Sequence, residues 1–127
     1  MSEQQAQRPV VLVVEDDLTS QQLMNFFLRN EYEVRIAASV PTAKEMLADG
    51  KVKLILLDFS LEGDEDGLDL ARWLRKLDDE RKKTPIVALT AHAFTTDRDN
   101  AIEAGCDDFL TKPVRQANLM ETIHKYV

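Results

Sequence analysis

Val10-Val11-Leu12-Val13-Val14 is an unbroken apolar run that ends against three acids, Glu15-Asp16-Asp17. Three further runs end in a similar way. Leu54-Ile55-Leu56-Leu57 meets Asp58, Ile86-Val87-Ala88-Leu89 meets Thr90, and Phe109-Leu110-Thr111 meets Lys112-Pro113. Short apolar runs of this kind read as strands covered on both faces, as in a parallel sheet. Parallel alignment would gather the polar residues that follow at one edge. In open α/β folds this carboxyl edge is where ligands bind. Carboxylates, one hydroxyl and one ammonium suit a hard divalent cation plus a phosphoryl group.

Working outward, helical patterns fall between the strands. Thr19 to Asn30 carries Leu23, Met24, Phe27 and Leu28 at helical spacing, with Thr19 or Ser20 able to cap it. Glu33 to Ala38 alternates, with Val34 and Ile36 on one face, as a strand does. Thr42 to Asp49 turns Ala43, Met46 and Leu47 inward, with Pro41 suited to the first turn and Gly50 to the close. Leu68 to Leu77 places Leu70, Ala71, Leu74 and Leu77 inward. Thr96 to Ala104 is a weakly apolar helix ended by Gly105, and Gln116 to Tyr126 places Leu119, Met120 and Ile123 inward. The alternating second strand and the short fifth suit sheet edges. Right-handed crossovers then give the order 2-1-3-4-5: a single doubly wound (βα)5 α/β domain over residues 10–127, with residues 1–9 a flexible arm. In that order Glu15, Asp16 and Asp58 stand side by side on central strands, and Thr90 and Lys112 approach from the other side.

Composition narrows the function. The 127 residues allow one domain with a full core, and 44% apolar content argues against disorder. A net charge of −7 argues against direct nucleic-acid binding, which needs basic groups to displace phosphate counterions. Arg72, Arg75, Lys76, Arg81, Lys82 and Lys83 cluster, but Asp78, Asp79 and Glu80 sit among them, and a solvated helix end is the expected reading. The lone Cys106 excludes an intrachain disulfide and reads as a small buried residue. No apolar run approaches the roughly 20 residues of a membrane span, and the amino terminus lacks a signal-peptide core, so a cytoplasmic chain is expected. There is no glycine-rich phosphate loop, so an intrinsic nucleotide kinase is not expected.

Carboxylates crowded at one strand edge repel one another, and a divalent cation relieves this. An aspartate can also attack phosphorus to give an aspartyl phosphate. From about Val10 to Val127 the arrangement resembles the receiver domains of two-component response regulators. The motifs that carry the resemblance are the acidic pair after strand one, Asp58, Thr90-Ala91 and Lys112-Pro113. The resemblance implies that Asp58 is the phosphoacceptor. Asp16 would bind Mg²⁺ (or Mn²⁺) directly, Glu15 largely through water, and the Ser60 backbone carbonyl would be the third protein ligand. Thr90 would bond one phosphoryl oxygen and Lys112 another, with Lys112-Pro113 a cis peptide. Phe109 sits at the position of the switch aromatic, three residues before the lysine. Ser60 and His92 would flank an attacking water and tune the lifetime of the phosphorylated state. Asp17 would be a peripheral acid.

Two departures stand out. The family's Met-Pro step after the acceptor is missing from the segment 59–67, which is one residue longer and carries Glu62, Asp64, Glu65 and Asp66. Phe109 replaces a tyrosine found in many relatives.

The implied function is a signalling module rather than a turnover enzyme. A sensor histidine kinase or a histidine phosphotransfer protein would donate to Asp58 in an Mg²⁺-dependent step. The face formed by the fourth helix, fifth strand and fifth helix would then change its hold on a downstream protein. The expected chain is a monomer or weak dimer, acting as a stand-alone receiver, a phosphorelay intermediate or a piece of a longer regulator or hybrid kinase. Two rivals are a phosphorylation-independent adaptor and a phosphatase of the haloacid dehalogenase type. The second needs an acid two residues past the nucleophile, where this chain has Ser60.

Overall fold

The computed structural model describes residues 8–58, 67–91 and 95–127. Five strands form one parallel sheet in the order β2-β1-β3-β4-β5. They are β1 (Val10–Val14), β2 (Glu33–Ala37), β3 (Val52–Asp58), β4 (Ile86–Thr90) and β5 (Asp108–Thr111). The helices between and after them are α1 (Leu18–Leu28), α2 (Val40–Met46), α3 (Gly67–Arg75), α4 (Thr95–Ala104) and α5 (Gln116–His124), with a 3₁₀ turn at Glu80–Lys83. Order and fold class match the expectation. All five residues of β1 and of β4 are buried, whereas β2 and β5 are half-exposed edges.

Two cores lie on opposite sides of the sheet because successive side chains of a strand point to opposite faces. Leu12, Val14, Ile55, Leu57 and Ala88 pack with Ala43 of α2, with Leu70, Ala71 and Leu74 of α3, and with Ala101 of α4. Val11, Val13, Leu54, Leu56, Val87 and Leu89 pack with Met24 and Leu28 of α1 and with Leu119 and Ile123 of α5. Central strands covered on both faces are the reason β1, β3 and β4 are apolar throughout.

Several local expectations are corrected. The cap of α1 is Asp17, not Thr19 or Ser20; its carboxylate accepts from the Ser20 backbone N–H at 2.8 Å. A carboxylate caps a helix at least as well as a hydroxyl and also favours the positive end of the helix dipole. Leu23 is 43% exposed, because it lies at the far rim of the α1 apolar arc from Met24 and Leu28. The α2 cap is Ser39, so that helix starts and ends earlier than expected, while Pro41 does sit in its first turn. Leu77 lies past the end of α3, in a turn in which its N–H donates to the Leu74 carbonyl. Gly105, with φ 111°, directly follows α4 and ends it, whereas Gly50, with φ 71°, turns the chain three residues past the α2 cap Leu47.

The basic cluster is not merely a solvated helix end. The Arg75 guanidinium donates to the backbone carbonyls of Gly105 (2.9 Å), Lys82 (2.8 Å) and Thr84 (2.7 Å), and to Asp107 Oδ2 (2.7 Å). Asp107 Oδ2 also accepts from the Ile86 N–H at 2.9 Å. One side chain therefore ties the end of α3, the 3₁₀ turn, the start of β4 and the approach to β5. Charge clustering in a sequence cannot distinguish such a clamp from solvated residues. Cys106 is buried, as expected, and burial pushes its thiol up to about 12.

Candidate functional site

The carboxyl edge of the sheet brings together the residues expected there. Register sets this out: in the β1–β3 pairing Val14 lies opposite Leu57, so Glu15 and Asp58 leave the sheet side by side. Asp58 lies opposite Leu89 in β4, and Thr90 opposite Thr111 in β5, so Thr90 and Lys112 enter from the far side. Carboxylate oxygens of Glu15, Asp16 and Asp58 lie within 4.8 Å of one another. Glu15 and Asp58 are 2% and 4% exposed, which is far from the usual state of an acid and demands compensation.

Lys112 supplies part of it. Its Nζ lies 2.9 Å from Glu15 Oε1 and 3.1 Å from Asp58 Oδ1. Its backbone N–H donates to the Thr90 carbonyl at 2.6 Å, and the Lys112-Pro113 peptide is cis. Thr90 is buried at the end of β4. Burial, with the Asp58 carboxyl alongside, raises the Glu15 pKa above the ordinary 4.5, although Lys112 and the Asp17 N–H oppose this. Burial alone would lower the Lys112 pKa, but its hydrogen bonds to Glu15 and Asp58 outweigh it and the ammonium is held more firmly.

Two supports were not foreseen. The Gln21 side-chain amide donates to the Glu15 carbonyl at 2.6 Å, and the Asp17 N–H donates to Glu15 Oε2 at 3.2 Å. The α1 cap thus also orients the Glu15 carboxylate. A hydrogen bond of the Gln21 type leaves no spacing signature; the Asp17 turn was legible in principle, since an acid at a helix start predicts an N-cap. Phe109 is half-buried beside a hollow of about 200 Å³ that Arg98 and Ile102 of α4 also line. A second, mainly apolar groove of about 380 Å³ runs from Glu15 and Lys112 past Ser20, Leu23 and Met24 to Pro113 and Val114. Ser60, His92 and the segment 59–66 lie outside the described residues.

Three hard oxygen donors converging on one point, with net negative charge after Lys112 is counted, fit a divalent cation of the Mg²⁺ type. The family model for the response regulator receiver domain matches residues 11–124. The chain belongs to the response regulator receiver family. Receiver domains of two-component systems characteristically undergo phosphorylation and bind Mg²⁺ at an acidic pocket, and the acidic cluster of this receiver is Glu15, Asp16 and Asp58. It is 37% identical to Protein PetR of Rhodobacter capsulatus over 94% of this chain and 48% of that protein. It is 29% identical to the polar-differentiation response regulator DivK of Brucella anthropi, over 92% and 94% of the two chains. The receiver domain of sensor histidine kinase PA1611 from Pseudomonas aeruginosa, solved with a magnesium ion coordinated in its active-site cleft, superposes with a TM-score of 0.84. The two are 31% identical, and the match covers 93% of this chain and 96% of that one. The receiver spans about half the length of the first curated relatives it matches. Among the described residues, no helix is long and apolar enough to cross a membrane.

Proposed function

We propose that Asp58 accepts a phosphoryl group from a phosphohistidine of a sensor kinase or a histidine phosphotransfer protein. The observation that carries this reading is the buried Asp58 carboxylate, held at 3.1 Å from the Lys112 ammonium and beside the acids Glu15 and Asp16. An Asp58 oxygen forms a bond to phosphorus as the phosphorus–nitrogen bond of the donor breaks, and the imidazole leaves and takes a proton. Asp16, Glu15 and Asp58 would hold Mg²⁺ or Mn²⁺, with the Ser60 carbonyl as a further ligand. The cation, when bound, offsets charge on the carboxylates and phosphoryl oxygens. Lys112 binds a phosphoryl oxygen as its contact with Asp58 gives way, and the Thr90 hydroxyl binds another. Catalysis on this reading is positioning and electrostatics.

The leaving histidine has a place to sit in the apolar groove between α1 and Pro113-Val114, and exposed Leu18, Leu23 and Phe26 on α1 offer its protein an apolar footing. Phosphorylation then biases an existing equilibrium in which Thr90 and Phe109 move toward the site and the α4–β5–α5 face changes its hold on a downstream protein. Ser60 and His92 tune how long that state lasts. On this reading residues 10–127 act as a cytoplasmic receiver, monomeric or weakly dimeric. The module catalyses its own phosphorylation and dephosphorylation and turns over no other substrate.

The test is intact mass after incubation with acetyl phosphate, with and without Mg²⁺, for wild type and Asp58→Asn. The expected result is one Mg²⁺-dependent phosphoryl adduct that the variant lacks. An adduct of equal yield on Asp58→Asn would overturn the assignment.

A further inference from the structure

Gly67 opens α3 and is buried. Its φ is not positive, so the backbone there does not call for glycine. Space does. A Cβ added at Gly67 would stand 2.7 Å from the Asp58 backbone carbonyl oxygen, and 3.1 and 3.2 Å from Cγ and Cδ1 of Leu57. Contacts under 3.0 Å at a Cβ force something to shift, and here the nearest atom is main chain. Neither side has room to retreat. Leu57 is fully buried, and Asp58 is paired with Leu89 across β3 and β4. On the other side, α3 is seated by Leu70, Ala71 and Leu74, all fully buried, and pinned at its far end by the Arg75 clamp.

We infer that Gly67 is a positioning residue for Asp58: its missing side chain lets the first turn of α3 brace the acceptor's main chain at the depth where its carboxylate meets Lys112, Glu15 and Asp16. The inference rests on the reading of Asp58 as phosphoacceptor. The brace runs straight from helix to strand end. A methyl group at Gly67 displaces the Asp58 peptide, and with it one of the three cation-facing carboxylates and the partner of Lys112. Small misplacements of a reacting group are costly to rate.

The experiment compares Gly67→Ala with Gly50→Ala. Gly50 has φ +71° and nothing within 4 Å of an added Cβ, so its substitution strains the backbone without touching the site. Three quantities are read: melting temperature, Mg²⁺ affinity by calorimetry without any donor, and the rate of adduct formation from acetyl phosphate at saturating Mg²⁺. Both variants are expected to melt earlier, but only Gly67→Ala should lose about tenfold or more in Mg²⁺ affinity and in rate. Unchanged affinity and rate in Gly67→Ala, whatever its melting temperature, would overturn the inference. Should Gly67→Ala not fold, Gly67→Ala with Leu57→Val relieves part of the side-chain crowding and keeps the carbonyl contact. Read against Leu57→Val alone, it is expected to show the same two losses, and native affinity and rate in it would equally overturn the inference. Absence of an adduct on wild type would instead sink the acceptor reading, which the donor-free Mg²⁺ titration keeps separate.

Discussion

At the carboxyl edge of the sheet, Lys112 faces Glu15 and Asp58, with Asp16 beside them; at the amino edge, Arg75 faces Asp107 and three backbone carbonyls. Both edges place one cation among oxygens, but the balance differs. Arg75 meets a single carboxylate and spends its other donors on carbonyls, so charge and hydrogen bonds close on themselves. Lys112 meets an acidic cluster that exceeds it in charge, and burial leaves Glu15 easier to protonate than usual. A closed set of partners stabilises a fold. A buried acidic cluster that outnumbers its ammonium suits a cationic ligand.

This contrast can be broken at either end. The largest effect is expected at Lys112. Lys112→Ala should slow adduct formation from acetyl phosphate by about 10²-fold or more, the scale of removing one charged group from a developing phosphoryl charge. Mass spectrometry over time checks it, and a native rate would show that the edge is not tuned for phosphoryl transfer. Next, Arg75→Met should cost about 1–2 kcal/mol of stability, since it removes one partner from Asp107 and from three backbone carbonyls at once. Urea unfolding reads the cost, and Mg²⁺ affinity should stay native; a drop in affinity would mean that the two edges are coupled.

Smaller effects concern pH. The raised Glu15 pKa makes protons compete with the cation early, so Mg²⁺ affinity should begin to fall on acidification while the pH is still above 4.5. Calorimetry across pH measures this, and Glu15→Gln should remove that step. The smallest effect belongs to a partly exposed pair, Arg35 on the edge strand β2 and Asp49 shortly before β3. Hydrogen bonds from Arg35 and the Lys51 N–H lower the Asp49 pKa from 3.8 to about 2. A depressed folded value stabilises above the ordinary value and is lost as pH falls through about 2. Asp49→Asn should therefore flatten the acid limb of the melting-temperature curve slightly and leave neutral pH almost untouched.

The carboxyl edge was legible in the sequence and the amino edge was not. Strands ending in Asp58, Thr90 and Lys112 announce themselves because burial forces continuous apolar runs, and the residue after each run has only one edge to occupy. The order of strands followed from which runs alternate. Leu23 misled because helical spacing defines an arc without saying which rim meets the core. Arg75 misled because its partners are backbone carbonyls, which every residue possesses and no pattern marks. Gly67 was legible as a glycine but not as a brace, since the contact it permits joins a helix start to a strand end across a segment of eight residues.

Cys106, the only cysteine, sits buried with its thiol pushed up to about 12, and this makes the molecule a natural blank for labelling. Thiolate is the reactive form, and here it is both scarce and shielded at neutral pH. A cysteine placed at an open position such as Ile102, 53% exposed on α4, would take a fluorophore or spin label alone, with the native residue left in place. The outer face of α4 can therefore be followed by spectroscopy in an otherwise unaltered chain.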